Sequence, residues 1–242
     1  MLNVLVPMSG PMPFFNEGEY PFPKPLVEIN GVPMIEYVVR NIASCGPDVR
    51  AIFLVRQDHC KKYHLDDTIR LLAPEHAEVL KVASETRGAL CTALLAIESI
   101  NNDNPLLIVN SDQYFTQGFA QGVRQLFEPP YEGGCLVFDS VHPRWSFVRT
   151  HGDEIVEAAE KRPITRRAIA GAYGFARGAD FVAAAKQALL KDANHDGVFY
   201  LSAAINEMVL MNKRLRAVQM PSADYHSFYS PKKIAEFSAS AV

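Results

Sequence analysis

Cysteine is scarce in this sequence of 242 residues, and its four copies lie far apart. Cys45, Cys60, Cys91 and Cys135 form no CxxC pair, so their spacing favours neither a disulfide framework nor a cysteine-rich zinc site. We therefore expect a cytoplasmic protein whose thiols are free and mostly buried.

The chain also lacks an excess of charge and any long apolar run. Its net charge is −3, which gives no reason to expect nucleic acid or a membrane surface as a partner. No apolar run approaches the roughly 20 residues that a membrane-spanning helix needs. MLNVLVP at the start has no basic region or cleavage site of a signal peptide and is predicted to be a first strand.

What the sequence does contain is an alternation of short apolar runs with helix-like segments. Over the first 140 residues, strands are predicted at 2–7, 51–56, 78–83, 105–112 and 134–140, and helices at 33–45, 89–100 and 119–127. Strands that alternate with crossover helices predict an α/β fold with a mostly parallel central sheet and helices on both faces.

The pattern changes after residue 140. Two short strands, at 144–150 and 154–161, precede a glycine-containing strand at 168–178; helices at 179–191 and 199–212, a strand at 214–221 and a helix at 230–241 complete the chain. No linker or repeat separates the halves, so we expect a single domain over 1–242. In sheets of this kind ligands bind at the carboxyl ends of strands, which here are Pro7–Gly10, Ala83–Gly88 and Asn110–Gln113.

A lysine between two prolines follows the first strand. In YPFPKPLVEINGVPMIEY (20–37), Pro23-Lys24-Pro25-Leu26 leads into Ile29-Asn30-Gly31-Val32-Pro33-Met34 and a helix. The segment resembles the N-terminal signature of the sugar-phosphate nucleotidylyltransferases. That family joins a nucleoside triphosphate to a phosphorylated small molecule and releases pyrophosphate on a Rossmann-like fold.

Further matches occur in the family's order along the chain: 85–89 with Thr92, Val109-Asn110-Ser111-Asp112-Gln113, Glu160-Lys161 and Gly171-Ala172-Tyr173. The resemblance implies a nucleotide-binding half (1–140) and an acceptor-binding half (141–242). It implies catalytic roles for Lys24 and Asp112, with Asp112 also binding Mg²⁺. The implied nucleotide-binding residues are Met8, Ser9, Gly10, Glu85, Thr86, Gly88, Ala89 and Ser111. The implied acceptor-binding residues are Glu160, Lys161, Gly171 and Tyr173.

Residue chemistry agrees with these roles but leaves simpler interpretations open. A lysine in a stiff loop loses little entropy when it bridges the α-phosphate and the acceptor phosphate, although Lys24 could also be a solvent-exposed loop lysine. A carboxylate after a buried strand suits Mg²⁺ and phosphates, although Asp112 could instead cap the next helix. Glu160 and Lys161 could form a surface ion pair. Gly88 could approach the base or only begin the helix at Ala89.

The loop before Lys24 departs from the family pattern. Aligned without gaps, the family's second glycine, small hydroxyl residue and basic residue fall on Met12, Pro13 and Phe14, and no Arg or Lys precedes Lys24. Because Pro11 and Pro13 lack amide donors, we expect triphosphate binding that is weaker or differently arranged.

A second departure lies near the C-terminus. Ser227 stands where the family has an aspartate, with Asp224 and His226 close by. A second magnesium ligand is therefore not expected from that position.

The sequence thus predicts a Mg²⁺-dependent nucleotidylyltransferase that transfers CMP or UMP, with CTP favoured over UTP, to a sugar phosphate or similar acceptor in surface-polysaccharide or related precursor synthesis. Two alternatives are a catalytically impaired relative that binds a nucleotide or phosphometabolite as a regulatory partner, and a glycosyltransferase. The latter class typically uses an Asp-x-Asp motif, whereas this chain has Asp112-Gln113-Tyr114. The sequence leaves open whether the chain forms a homo-oligomer.

Overall fold

A nine-stranded sheet with helices on both faces dominates the computed structural model, which describes residues 1–11, 13–15, 18–75 and 77–240. The strands are β1 (Leu2–Met8), β2 (Glu28–Ile29), β3 (Val32–Pro33), β4 (Val49–Arg56), β5 (Glu78–Val82), β6 (Leu106–Val109), β7 (Gln113–Phe115), β8 (Gly133–Asp139), β9 (Ser146–His151), β10 (Glu154–Glu160), β11 (Arg167–Phe175), β12 (Arg216–Gln219) and β13 (Tyr225–Ser227). The helices are α1 (Met34–Ser44), α2 (Gln57–Tyr63), α3 (Leu65–Leu72), α4 (Ala89–Leu94), α5 (Ile97–Ile100), α6 (Phe119–Leu126), α7 (Gly178–Leu190), α8 (Leu201–Leu210) and α9 (Pro231–Ser240), and a 3₁₀ helix covers Lys24–Leu26.

The α/β class is confirmed, and the sheet is parallel in only part of its width. The strand order is β5-β4-β1-β6-β11-β8-β12-β10-β9. Strands β5, β4, β1 and β6 are mutually parallel, as is β12 with β8, whereas β11 runs antiparallel to both β6 and β8. Strands β9 and β10 form an antiparallel hairpin, because the few residues between them are too short a connection to join parallel strands. Both halves of the chain contribute strands to this sheet.

Two apolar clusters fill the space above and below the sheet. Leu5 of β1 packs into one cluster with residues of α4, α7 and α8, while Val4 and Val6 pack into the other with residues of α1, α3 and α6. This alternation follows from the two-residue period of a strand. It explains why the parallel strands are apolar along their whole length.

Several local predictions need correction. The helix predicted at 89–100 is interrupted, because Leu95 and Ala96 donate their amides to residues three positions back and Ala96 leaves the helical region (φ −94°, ψ 18°). Helices α2 and α3 were not predicted. Among the described residues, no helix is long and apolar enough to cross a membrane. All four cysteines carry free thiols.

Two short strand pairs lie outside the main sheet and shape one end of it. Strand β2 pairs with β3, and β13 pairs with β7, so the C-terminal segment lies beside the residues that follow β6. A third apolar cluster, which includes Phe15, Tyr37, Phe228 and Phe237, joins the loop after β1 to α1 and α9.

Candidate active site

A cavity of about 160 Å³ opens where β1 and β6 end beside the 3₁₀ helix. It is lined by Pro7, Met8, Gly10, Pro11, Lys24, Pro25, Asn110, Ser111 and Asp112. Two of the three segments that were predicted to meet, Pro7–Gly10 and Asn110–Gln113, therefore do border one cavity. The third, Ala83–Gly88, borders a separate depression beside β5.

Lys24 and Asp112 form the charged centre of this cavity. The Lys24 ammonium donates a hydrogen bond of 2.5 Å to Asp112 Oδ2, and the two side chains are only 16% and 23% exposed. Lys24 also lies 5.3 Å from the centroid of the Phe15 ring. The structure thus holds Lys24 in a specific position, and the interpretation of a solvent-exposed loop lysine is wrong.

Asp112 is held through its backbone as well as its carboxylate. Phe228 donates its amide to the Asp112 carbonyl at 2.7 Å, next to the pairing of Ser227 with Gln113. Helix α6 begins after Gly118 and has no side-chain cap. Asp112 therefore does not cap that helix, and its carboxylate remains directed at Lys24.

A chain of hydroxyl groups connects β1 to the loop after β5. Ser9, which is fully buried, shares a hydrogen bond of 3.1 Å with Thr92, and Thr92 shares one of 2.7 Å with Thr86. The hydroxyl oxygens of Thr86 and Thr92 also lie 2.9 and 3.2 Å from the Gly88 carbonyl, which accepts a hydrogen bond from one of them. The network holds the third predicted segment next to the first, although that segment does not line the cavity.

Gly88 and Glu85 have protein partners of their own. Gly88 has φ of +120° immediately before α4, which begins at Ala89, and a Cβ there would overlap the backbone of Phe199. Glycine at this position is thus required by packing as well as by the start of a helix. Glu85 forms an ion pair of 2.6 Å with Arg56.

The predicted acceptor residues surround a half-buried carboxylate. Ser146 and Ser202 donate hydrogen bonds of 2.5 and 2.8 Å to Glu160 Oε2. Burial raises the pKa of Glu160, and the two serine hydroxyls and the charge of Lys161 oppose that rise. The pKa of buried Tyr173 is raised well above its usual value, by burial first and by the charge of Glu160 second. Glu160, Tyr173 and Ser146 therefore lie together.

Lys161 does not form the predicted surface ion pair with Glu160. Its ammonium lies 5.1 Å from the centroid of the Tyr200 ring, and a hydrogen bond with the Tyr200 hydroxyl raises the pKa of the lysine. Glu160 and Tyr200 border a cavity of about 410 Å³ between β10 and α8, whose lining mixes polar side chains with alanines.

Gly171 lies at an irregularity in β11, next to the residues around Asp112. Its φ is +62°, and a Cβ would overlap the side chains of Gln113 and Asn110. The Gln113 amide donates to the Gly171 carbonyl at 2.9 Å. Gly171 thus permits a close approach of β11 to the residues on either side of Ser111 and Asp112.

The unusual loop is only partly described, because Met12 lies outside the described residues. Phe14 contacts the Tyr229 ring edge-on at 6.0 Å between centroids, and Phe15 is buried against Tyr20. Aromatic contacts therefore anchor the stretch that was predicted to form a phosphate cradle.

The pairing of β13 with β7 shows where Ser227, which stands in place of the family's aspartate, lies. Tyr225 and Ser227 face one side of this strand and His226 faces the other. Burial raises the pKa of Tyr225, and the nearby charge of Asp112 raises it further. Asp224 instead accepts a hydrogen bond from Thr116, and His226 packs on Phe237.

The donor set suits a magnesium ion that arrives with phosphates. Within the described ranges, no group of three or more His, Cys, Asp or Glu side chains could hold a metal ion. Mg²⁺ is commonly bound through one or two carboxylates together with substrate phosphates and water. Asp112 supplies one such carboxylate at the edge of the cavity.

Several contributors to the site were not predicted from the sequence. Ser146 and Ser202 occur in segments that were assigned only to a strand and a helix, and Tyr225 lies in a segment for which no element was predicted. Ser146 and Ser202 reach Glu160 from 14 and 42 residues away, and no short spacing in the sequence relates them.

Comparison with known proteins identifies a family and a shared fold. No curated protein matches the chain, but the model of the MobA-like NTP transferase domain family matches residues 18–177.

Solved structures with the same fold include a nucleoside-diphosphate-sugar pyrophosphorylase from Vibrio cholerae RC9 (20% identity, TM-score 0.83, covering 98% of this chain and 99% of that one). They also include the inositol-1-phosphate CTP transferase of T. maritima (13%, 0.75, 98% and 94%) and a UTP-bound UGPase from Acinetobacter baumannii (15%, 0.72, 99% and 92%). Because the family model covers more than half of its length, the chain belongs to the family of MobA-like NTP transferase domains.

Proposed function

We propose that the chain transfers a nucleoside monophosphate from a nucleoside triphosphate to a phosphorylated small molecule and releases pyrophosphate. The observation that carries the proposal is the Lys24–Asp112 ion pair, 2.5 Å long, in a cavity between the ends of β1 and β6. A lysine and a carboxylate that are mostly buried at a strand end need a functional or structural partner, and each has the other.

In the reaction an oxygen of the acceptor phosphate attacks the α-phosphorus in line. A bond forms between that oxygen and the α-phosphorus, the bond from the α-phosphorus to the bridging oxygen of the β-phosphate breaks, and pyrophosphate leaves with those electrons. The protein mainly has to position two anions and neutralise their charge. Lys24 performs this task by exchanging Asp112 for phosphate oxygens when the substrates bind.

Asp112, once released from Lys24, would hold Mg²⁺ together with the phosphates, and the bound ion would neutralise phosphate charge. Phe228 keeps the Asp112 backbone in place through its amide during this exchange.

The nucleoside is assigned to the side of the cavity next to the buried hydroxyl network. Met8, Ser9, Gly10 and Ser111 adjoin the phosphates, and the loop 85–89 adjoins the base, with CTP preferred over UTP. Ser9, Thr86 and Thr92 tie these two regions together, which supports a single nucleotide site across them.

The acceptor is assigned to the side where Glu160, Lys161, Gly171 and Tyr173 lie. Glu160 would accept hydrogen bonds from hydroxyl groups, and Lys161 would bind the phosphate. Glu160 lines a cavity together with Asn206 and Glu207, and such groups can form hydrogen bonds with the hydroxyls of a sugar phosphate. The similar structures are described as pyrophosphorylases of nucleotide sugars and as an inositol-1-phosphate CTP transferase, which supports the same class. A cytoplasmic, single-domain enzyme that supplies activated precursors for polysaccharides fits this substrate class.

The test measures pyrophosphate release by the purified protein with CTP, UTP, ATP or GTP, each combined with a panel of sugar 1-phosphates and with inositol 1-phosphate. We expect Mg²⁺-dependent release with a pyrimidine nucleotide and one acceptor class. Lys24→Ala and Asp112→Ala should each lower the rate at least about 100-fold. Exposed Lys232→Ala, in α9, is the matched control and should retain full activity.

Parallel calorimetric titrations with the four triphosphates separate the alternatives. Tight triphosphate binding without turnover under any combination would favour a non-catalytic nucleotide-binding protein. No binding by a folded sample would refute the proposal.

A further inference from the structure

The cavity around Asp112 needs more positive charge than Lys24 supplies. In the absence of substrate the Lys24–Asp112 pair is electrically neutral, and no Arg or Lys precedes Lys24 in the sequence. A triphosphate and an acceptor phosphate together bring several negative charges to one place. A further cation close to this cavity is therefore required if the proposed function, on which this inference rests, is correct.

Arg144, in the loop between β8 and β9, lies in a suitable position. Its guanidinium carbon is 3.0 Å from the centroid of the Tyr229 ring and 5.3 Å from that of Trp145. Tyr229 in turn contacts Phe14 of the loop after β1. The stack connects Arg144 to the loop in which phosphate-binding groups were expected.

Contacts on both sides place Arg144 between the two proposed substrate regions. Trp145, the next residue along the chain, contacts the Tyr225 ring at 6.1 Å between centroids, and Tyr225 belongs to β13, which pairs with β7 directly after Asp112. On the other side, Lys161 donates its amide to the Trp145 carbonyl at 3.0 Å, which fixes the position of residue 145 relative to the acceptor lysine.

Arg144 is also chemically available. It is half-buried, and it forms no ion pair with any carboxylate in the part of the chain that the structure describes. Arginine stacked on aromatic rings loses little further entropy when it binds, and its planar donors match the oxygens of phosphate. Unpaired arginine held in this way is suited to bind an anion rather than to stabilise the fold.

We propose that Arg144 is a phosphate-binding residue, which supplies from the β8–β9 loop the positive charge that is lacking in the loop after β1. The phosphate could belong to the triphosphate or to the acceptor, and the chemistry of recognition is the same. Arg144 lies near both the nucleotide region and the acceptor region, so binding measurements with separate ligands have to distinguish the two.

The test is calorimetric titration of wild type, Arg144→Ala and Arg144→Lys with pyrophosphate, with CTP and UTP, and with glucose 1-phosphate, each in the presence of Mg²⁺. We expect Arg144→Ala to weaken at least one of these ligands about 10- to 100-fold. Weaker binding of pyrophosphate and of the triphosphates would assign Arg144 to the nucleotide site. Weaker binding of glucose 1-phosphate would assign it to the acceptor site. Arg144→Lys should fall between, because it keeps the charge and loses the planar pair of donors.

Arg149→Ala is the matched control. Arg149 lies five residues on, is exposed and pairs with Glu157, so its removal should change each dissociation constant less than about twofold. Binding of cytidine and uridine, which carry no phosphate, should be equal in wild type and Arg144→Ala. If Arg144→Ala loses the same affinity for nucleosides as for phosphate ligands, Arg144 has a structural role and the inference is overturned.

The outcomes also separate this inference from the proposed function. If the wild-type protein binds phosphate ligands and Arg144→Ala binds them equally well, the role of Arg144 is refuted, but the proposed function is not. Wild type that binds none of them would refute the proposed function, and the inference about Arg144 with it.

Discussion

Exchanging the two charges of the central ion pair should restore stability without restoring activity. Lys24→Ala or Asp112→Ala alone leaves the other charge in a site where the side chains are only 16% and 23% exposed. Exposed pairs contribute about 0.2–1 kcal/mol, and breaking a fully buried pair costs about 3–5 kcal/mol. For this intermediate burial we expect each single variant to lose roughly 1–3 kcal/mol of the free energy of unfolding. For a protein of this size that loss corresponds to about 2–12 °C in Tm.

The doubly substituted protein Lys24→Asp/Asp112→Lys keeps one charge of each sign in the site, whereas Lys24→Asp and Asp112→Lys alone each place two like charges there. In a double-mutant cycle with these two single variants, measured by urea denaturation, the double variant should recover at least about half of the stability that the single variants lose. Its rate of pyrophosphate release should remain at least about 100-fold below wild type, because the cation and the metal-binding carboxylate now occupy each other's positions.

Two results would contradict this reasoning. A coupling free energy below about 0.3 kcal/mol would show that the pair contributes nothing in solution. Activity in the exchanged variant comparable to wild type would show that the two residues only stabilise the fold, and the catalytic assignment of Lys24 would fall.

Gly171→Ala should lower the free energy of unfolding by roughly 2–4 kcal/mol, because a Cβ would overlap Gln113 and the positive φ strains alanine; an unchanged urea midpoint would show that the strand can rearrange. Burial raises the pKa of Glu160, so the stability this group contributes is full below the ordinary carboxyl range and is lost as pH rises through the raised pKa. Glu160→Gln should flatten that part of the stability–pH curve, and an unaltered curve would contradict the assignment. Phe15→Ala should cost roughly 2–4 kcal/mol and weaken triphosphate binding, since Phe15 anchors the loop after β1; calorimetry of the folded variant would reveal intact binding if the loop acts independently.

The part of the site that could be predicted depends on local pattern and chain order. Lys24 follows the first strand and Asp112 follows a later one, and parallel strands place their carboxyl ends on the same edge of a sheet. The two side chains therefore had to lie close together once both strands were assigned. This rule brings the two residues to the same edge of the sheet, but it does not predict the ion pair that they form.

Other contacts at the site had no signal in the sequence. Ser202 reaches Glu160 from helix α8, and Tyr225 reaches the region of Asp112 because β13 pairs with β7. The three-residue strands involved are too short to show a period, and their pairing depends on how distant segments pack. The position of β11 also depends on how distant segments pack. It lies antiparallel beside β6, so a smaller part of the sheet is parallel.

The α/β class and the order of most strands and helices follow from the amino-acid sequence, because hydrophobic periodicity is a property of contiguous segments. The two charged residues at the centre of the cavity were identified from the resemblance of their local motifs to those of the nucleotidylyltransferases. Three other contacts follow from tertiary packing: two serines hold Glu160, Gly171 admits Gln113, and Arg144 lies on Tyr229. Those contacts join segments far apart in the chain, and their formation depends on the shape of the packed core rather than on any local pattern.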